Sequence, residues 1–503
     1  MKNLISDKRK LVFLCIGFLT LILPQFISFG IVMLSITVWL YPLCFLYLTR
    51  NAENRKELLF VWLFYILGAG VRFCTSLGSS FLLILASFII SVIGFSALFV
   101  PFLIDRRVHK NSNRFIYTLI FPLAYTTAEM LINLMAIGSL QNIGYTQIVN
   151  PVFSQSASLI GEFGVGFFVM WTPCVVLYVF EFRKRKIMWL KALIWILVAV
   201  MSFSYGVVRL KNAKEYTQND TVRIAYTTGP YIGDFVSDFS PTDLSLCMES
   251  LNKSCKTAKQ GGAGLLMYCE EAFTIYDYEV EPFIENAKEQ AKNYSMNILV
   301  TLLVLNTDEN STKEYQNNAY IIGSDGRMLV QYKKQQLVPV IESFFCERST
   351  TGIPNVWLDI NGKDVKATCA ICFDAEYSKV ISFMDNDTSL LLVSSWDWEN
   401  ITEQHTANVR VRALENGVGL LKDTYDGKSV ATDAFDRVVA STHTSDVGFE
   451  TVNFADVPID AQTTHFERYV IYVNYLCPMT LLVLMFTSRA FRRKREEEQT
   501  ILE

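Results

Sequence analysis

The chain has 503 residues, enough for two or more domains of ordinary size. Hydrophobic residues make up 51% of it and charged residues 19%, against roughly 25% charge in a typical soluble protein. That balance disfavours a disordered chain and a small disulfide scaffold, and a net charge of -4 offers no field to attract nucleic acid. A membrane protein is what remains.

From Leu11 to Thr49 there is no charged residue. At ~1.5 Å per residue that run would make about 58 Å of helix, against a hydrocarbon core of ~30 Å. Two helices turning near Pro24–Gly30 fit better than one. Further apolar stretches follow from Glu57 through Gly70, then Phe73–Ile104, Phe115–Gly138, Ser156–Phe182, Ile187–Val208 and Tyr469–Ser488. The pattern predicts about eight spans, with a short outer turn or a re-entrant segment at Arg72–Ser80. The basic clusters are Lys2/Lys8/Arg9/Lys10, Arg50/Arg55/Lys56, Arg106/Arg107/Lys110/Arg114, Arg183–Lys186 and Arg489/Arg492–Arg495. With eight spans these all fall on one side, which the positive-inside rule makes cytoplasmic. Both termini are then cytoplasmic, and the N-terminus is a retained anchor.

The expected organisation is a seven-span membrane domain over 1–208, an extracytoplasmic domain over 209–468, a C-terminal transmembrane helix over 469–488 and a charged cytoplasmic tail over 489–503. Within the second block, strands are expected at Thr221–Thr228, Gly264–Cys269, Asn297–Leu305, Ala319–Gly323 and Met328–Lys333. Ala367–Phe373, Ser389–Ser394, Val418–Asp423 and Ser429–Thr432 complete the set. Ser324-Asp325-Gly326-Arg327 and Asp426-Gly427 read as hairpin turns. Helices are expected at Glu281–Tyr294 and Gln404–Asn416, the second capped by Gly417. Strands mixed with helices of about a dozen residues indicate a layered α/β domain.

Three groups sit where an expected strand gives way to a loop: Glu270 after GLLMYC, Lys334 after MLVQYK and Cys372 at the end of ATCAIC. Sites in α/β folds gather at the carboxyl ends of strands. A thiolate, a carboxylate that carries a proton and a cation that steadies the oxyanion together make an acyl-transfer site. On spacing alone Glu271 competes with Glu270, Lys333 with Lys334, and Cys369 with Cys372. The four His residues are scattered, with no metal-ligand pairing. Of the eleven Cys, Cys247 and Cys255 are spaced to close a short loop.

These residues resemble the nitrilase, or carbon–nitrogen hydrolase, superfamily, whose signature is a Glu–Lys–Cys triad in that chain order. Tyr268-Cys269-Glu270-Glu271-Ala272 is similar to a Trp-Pro-Glu-x-Ala segment and selects Glu270. Tyr332-Lys333-Lys334-Gln335-Gln336-Leu337-Val338-Pro339 resembles Tyr-x-Lys-x-His-Leu-Val-Pro and selects Lys334, with Glu342 as the second Glu that follows. Ile371-Cys372-Phe373-Asp374 resembles Ile-Cys-Tyr-Glu and selects Cys372, and Arg412-Ala413-Leu414-Glu415 matches the helix after the nucleophile. The membrane segments narrow the resemblance to the apolipoprotein N-acyltransferase family. They are Phe121-Pro122 with Glu129, Asn142-Ile143-Gly144-Tyr145-Thr146-Gln147, Pro151, Gln155, Gly161 and Gly164. Departures stand at Gln336, Val340-Ile341, Asp374 and Ser394-Ser395-Trp396-Asp397-Trp398.

The resemblance implies an αββα nitrilase sandwich in the extracytoplasmic domain, no cofactor and no metal. It implies catalytic Glu270, Lys334 and Cys372, supported by Glu342 and Asp374. It also implies a phospholipid acyl donor and a diacylated lipoprotein acceptor at a bacterial cytoplasmic membrane. The expected reaction is acyl transfer through a Cys thioester. A membrane-tethered amidase and an inactive scaffold are the alternatives.

Overall fold

The computed structural model describes residues 7–26, 30–74, 80–109, 114–135, 138–139, 142–184, 186–228, 241–308, 311–466 and 475–488. The chain divides into two compact units. One comprises Met1–Met135, Gln141–Lys211 and His465–Glu503; the other comprises Ala136–Leu140 and Asn212–Thr464. The turn at 27–29, the outer turn at 75–79, the first part of the last expected span and the tail over 489–503 lie outside the described residues.

In the first unit, five described helices are long and apolar enough to cross a membrane: Gly30–Asn51, Phe81–His109, Phe115–Asn133, Ala157–Phe182 and Trp189–Lys211. This corrects the expectation of eight. Helix Lys8–Phe26 opens on three basic residues, and its uncharged part covers only about 24 Å at ~1.5 Å per residue. Helix Arg55–Phe73 carries Arg55, Lys56, Glu57 and Arg72. The last helix is described only over Tyr475–Ser488. Several polar groups inside this unit find partners, as a low-dielectric interior favours. Arg50 Nε lies 2.7 Å from Asp105 Oδ2, Glu129 accepts the Ile143 N–H at 2.8 Å, and Asn142 donates to Glu162 at 3.0 Å. Gly144 packs so closely on the Glu162 backbone that a Cβ would lie 2.0 Å from its carbonyl oxygen.

The second unit holds two mixed sheets, neither closed into a barrel. The first contains β1 (Thr221–Thr227), β2 (Leu265–Tyr268), β3 (Phe273–Tyr276), β4 (Asn297–Leu305), β5 (Tyr315–Ile322), β6 (Met328–Lys333) and β13 (Val452–Pro458). Its order is β13-β1-β2-β4-β5-β6, with β3 also paired to β4. The second contains β7 (Asn355–Asp359), β8 (Asp364–Ile371), β9 (Leu390–Ser395), β10 (Gly419–Thr424), β11 (Lys428–Thr432) and β12 (Val438–His443), in the order β12-β11-β10-β9-β8-β7. Parallel pairs β1/β2, β2/β4, β8/β9 and β9/β10 occupy the middle, and antiparallel pairs close the edges.

Central parallel strands covered on both faces read as unbroken apolar runs, and the alternation inside them decides what each side chain touches. Ile224, Tyr226, Leu265, Met267 and Leu299 share one core with Val365, Ala367, Leu391, Val393 and Leu421 of the other sheet. Their neighbours Ala225, Leu266, Tyr268, Ile298 and Val300 point the opposite way. They meet Leu251 and Cys255 of helix Leu244–Gln260 and Phe283 and Ala287 of helix Val280–Tyr294. Helix Thr402–Asn416 turns Val409 and Ala413 into the shared core. It ends at Gly417, whose φ of 67° is the left-handed cap expected there.

Cys247 and Cys255 do not close a loop. They lie on the one helix Leu244–Gln260, about 12 Å apart along its axis at ~1.5 Å per residue, too far for a bridge. All eleven cysteines are free.

Candidate active site

The carboxyl ends of β2 and β9 are stitched together across the two sheets. Ser394 Oγ donates to the Tyr268 carbonyl at 2.7 Å, and the Glu270 N–H donates to the Ser395 carbonyl at 3.1 Å. The segment in which this chain departs from the expected Ser-Asn-Asp-x-Trp pattern therefore supplies the fastening. Glu270 emerges at that seam. Its Oε2 accepts the Trp396 N–H at 2.8 Å, and its Oε1 lies 2.6 Å from Lys334 Nζ.

Lys334 leaves the end of β6 with its backbone N–H on the Asn317 carbonyl, which points the side chain inward. Its ammonium sits 2.6 Å from Glu270 and 2.7 Å from Glu342, and all three groups are buried. Burial works to depress its pKa, but the two carboxylates outweigh it and hold the ammonium well above the ordinary lysine value. Lys333, by contrast, points outward to Glu347 at 2.8 Å. Glu342 is fixed by accepting the Val338 N–H at 2.7 Å. Burial raises its carboxyl; Lys334 pulls it down and Glu270 pushes it up.

Cys372 opens a tight turn, Cys372–Glu376, at the end of β8. Its φ of 43° places a non-glycine residue in the left-handed region, a conformation that costs on the order of 1–2 kcal/mol and is held by its surroundings. Burial pushes its thiol well up; Glu270 adds to that and Lys334 opposes it. The sulfur therefore rests as a thiol, electrostatically coupled to the base and cation that would activate it. Cys369 lies in the shared core, where burial and the charge of Asp374 push its thiol up to about 12.

Asp374 does not join the carboxylate cluster; it braces the turn from behind. Its Oδ1 accepts the N–H groups of Gln335 and Gln336 at 3.2 and 2.7 Å, and its Oδ2 accepts the Tyr332 hydroxyl at 2.8 Å and the Ile371 N–H at 3.1 Å. The loop carrying Lys334 and the turn carrying Cys372 are thereby tied to each other. Burial raises its carboxyl to about 6, against the pull of those hydrogen bonds.

Sequence reasoning missed several participants. Asn317, on β5, donates from Nδ2 to Glu270 at 2.8 Å, Glu271 at 2.9 Å and Glu342 at 3.4 Å. Its signal was a pair of amides inside an otherwise buried strand. Glu271 is buried beside Glu270, in left-handed backbone, rather than on a solvated edge. Burial and the charges of Glu270 and Glu342 raise its carboxyl well above the ordinary range. His405, passed over as scattered, lies within 4.8 Å of both Cys372 and Asp397. Glu270, Glu271 and Glu342 cluster as a cation site would, and the Lys334 ammonium contacts two of them.

A buried Glu–Lys–Glu network beside a buried Cys, at the strand ends of a mixed-sheet α/β domain, defines a nitrilase-type arrangement for amide or acyl chemistry. It is carried by a chain that also has a multi-pass apolar helical region. Comparison with known proteins agrees at that level. Residues 223–421 match the carbon-nitrogen hydrolase family, and residues 17–175 match the apolipoprotein N-acyltransferase N-terminal domain. The chain is 24% identical over 435 residues to an apolipoprotein N-acyltransferase of Haemophilus influenzae, covering 78% of this chain and 80% of that one. It is 23% identical over 378 residues to one of Rhizobium leguminosarum bv. trifolii, covering 69% and 68%. It is also similar to an amidase from Nesterenkonia sp. known from its crystal structure, at 16% identity and a TM-score of 0.40, covering 50% of this chain and 96% of that one. The chain thus combines a nitrilase-superfamily domain with an acyltransferase-type N-terminal domain, the architecture of those distant relatives.

Proposed function

We propose that this protein moves a fatty acyl chain from a membrane phospholipid, through a thioester on Cys372, to the N-terminal amine of a diacylglyceryl-Cys lipoprotein. The observation that carries the reading is the Glu270–Lys334–Glu342 network beside Cys372 in a chain whose residues 17–175 match the apolipoprotein N-acyltransferase N-terminal domain. An amidase acting on a soluble substrate needs no such apolar half.

On this reading Glu270 takes the proton of the Cys372 thiol as the sulfur attacks the ester carbonyl. The Lys334 ammonium steadies the oxyanion. Collapse breaks the ester C–O bond, Glu270 returns the proton to the departing oxygen, and a lysophospholipid leaves. The acceptor amine then attacks the thioester, Glu270 takes its proton, and the amide forms as Cys372 recovers its hydrogen. Glu342 holds Lys334 in place, and Asp374 holds the turn. No step calls on a metal or cofactor.

On this reading the domain over 209–468 is the catalytic one, and its extracytoplasmic placement, with both termini cytoplasmic, is part of the proposal. Both lipid-anchored substrates would be within reach there.

Intact mass spectrometry of the full-length protein with phospholipid micelles tests the reading, with Cys372→Ala as control. A fatty-acyl adduct that hydroxylamine removes and the variant lacks is expected, and a diacylglyceryl-Cys peptide should discharge it. A folded protein that takes no acyl group yet turns over small amides would replace this reading with the tethered amidase. One that does neither would leave the scaffold.

A further inference from the structure

A second buried ionic chain, unused by the Glu–Lys–Cys set, ends on the nucleophile. Lys422 Nζ, from β10, lies 2.5 Å from Asp397 Oδ2, and Asp397 Oδ1 lies 2.7 Å from His405 Nδ1. On the other side of the ring, His405 Nε2 lies 3.3 Å from the carbonyl oxygen of Cys372 and 3.9 Å from Glu376 Oε1. The Thr402 hydroxyl completes the Asp397 shell at 3.3 Å. Glu376 closes the turn that Cys372 opens, and its carboxylate accepts from the Ser139 hydroxyl at 2.9 Å and from the Asn408 amide. Every one of these side chains is buried.

Both nitrogens of His405 face acceptors. A carbonyl oxygen only accepts, and so does the Asp397 carboxylate, which Lys422 and His405 hold down at about 2 against the effect of burial. Both contacts are hydrogen bonds only if the ring carries hydrogen on Nδ1 and Nε2 together.

We propose that His405 is a positioning residue, held as an imidazolium, whose hydrogen bond to the Cys372 carbonyl locks the nucleophile in its left-handed backbone conformation and sets a second positive charge beside the sulfur. The inference rests on Cys372 being the nucleophile, as proposed above, but its test needs no acyl donor. The cation on the first sheet, Lys334, would then be matched by one belonging to the second sheet, which offsets the push that Asp397 exerts on the Cys372 thiol.

Histidine labelled with 15N decides the protonation state in the full-length protein, which has four histidines. The His405 signal is assigned by difference against His405→Gln, or, if that variant does not fold, by replacing the other three in turn. Two protonated ring nitrogens at pH 7 are expected, and a neutral ring overturns the proposal. The rate of Cys372 alkylation by iodoacetamide provides the second readout. His405→Phe fills the space without donating and should slow it about tenfold, the scale of one hydrogen bond. His405→Gln restores a donor and should recover part of the rate. Equal rates in all three proteins would show that the contact positions nothing. A protein that passes both tests yet takes no acyl group from phospholipid would sink the transferase reading and leave His405 in its role.

Discussion

Three carboxylates, Glu270, Glu271 and Glu342, share the Asn317 amide, two of them, Glu270 and Glu342, also share the Lys334 ammonium, and the two donors are not equivalent. Lys334 supplies charge, so Lys334→Met leaves buried carboxylates uncompensated and should destabilise the protein by about 3–5 kcal/mol. Adding Glu342→Gln removes one of those charges and should recover part of the loss. A double-mutant cycle on thermal unfolding reads the coupling between residues 2.7 Å apart. Asn317 supplies geometry. Asn317→Leu is isosteric but cannot donate, and should cost about 1–3 kcal/mol while slowing Cys372 acylation, measured by the mass of the acyl adduct over time. If Asn317→Leu acylates at the native rate, the amide has no part in holding Glu270.

At the scale of the element, the left-handed cap of helix Thr402–Asn416 makes a sharp prediction. Gly417 has a φ of 67°, and a Cβ there would sit 2.1 Å from the Gln462 carbonyl oxygen. Gly417→Ala therefore combines backbone strain with a backbone clash, and should lower stability by roughly 2–4 kcal/mol, read as a fall in Tm. This cap was legible beforehand because Gly after a helical run has one common meaning. Strands β4 and β6 were read with their observed ends, Asn297–Leu305 and Met328–Lys333, the first from its unbroken buried apolar run and the second from the hairpin turn signal before it. The strands β3, β7, β12 and β13 went unread. VVASTH and NVWLD are short and half exposed, so burial writes little into them. Helix Leu244–Gln260 was missed for the opposite reason: it buries a narrow stripe, Cys247, Leu251, Cys255 and Ala258, beneath a polar majority. At the site, the triad types were visible at strand ends, but choosing Glu270 over Glu271 needed the family resemblance. Nothing in spacing could reveal that Asn317 and His405 fold back onto the same seam.

For the molecule as a whole, buried acids set the pH response. Burial raises Asp374 to about 6 and raises Asp436 to about 6 against the pull of Arg410. Glu271 and Asp423 move the same way. An unfolded aspartate titrates near ~3.9, so between about pH 4 and 6 the folded chain binds more protons than the unfolded chain and stability falls as pH rises. Asp374 and Asp436 each account for on the order of 3 kcal/mol across that window. Asp397 has the reverse sign, since its stabilisation is present above about pH 4 and lost toward 2. The Tm of the protein in detergent should therefore rise from pH 7.5 to about 5 and turn over below 4. A steady fall from 7.5 to 5 would mean that these acids are ionised and well paired.

The order of the strands along the chain also sets a sequence of events at synthesis. Glu270, Lys334 and Glu342 belong to the first sheet, Cys372 arrives with the second, and β13 returns only at Val452–Pro458 to pair with β1. A nascent chain thus holds Glu270 and Lys334 before it holds Cys372. The first sheet also lacks an edge strand until translation of this unit is almost complete. The Cys372 thiol is drawn into the company of Glu270 and Lys334 only as the two sheets join. A truncated product ending before β13 would carry all of these groups while β1 still lacked its partner strand. On the proposed reading, joining the two sheets and bringing the Cys372 thiol to Glu270 and Lys334 are one event.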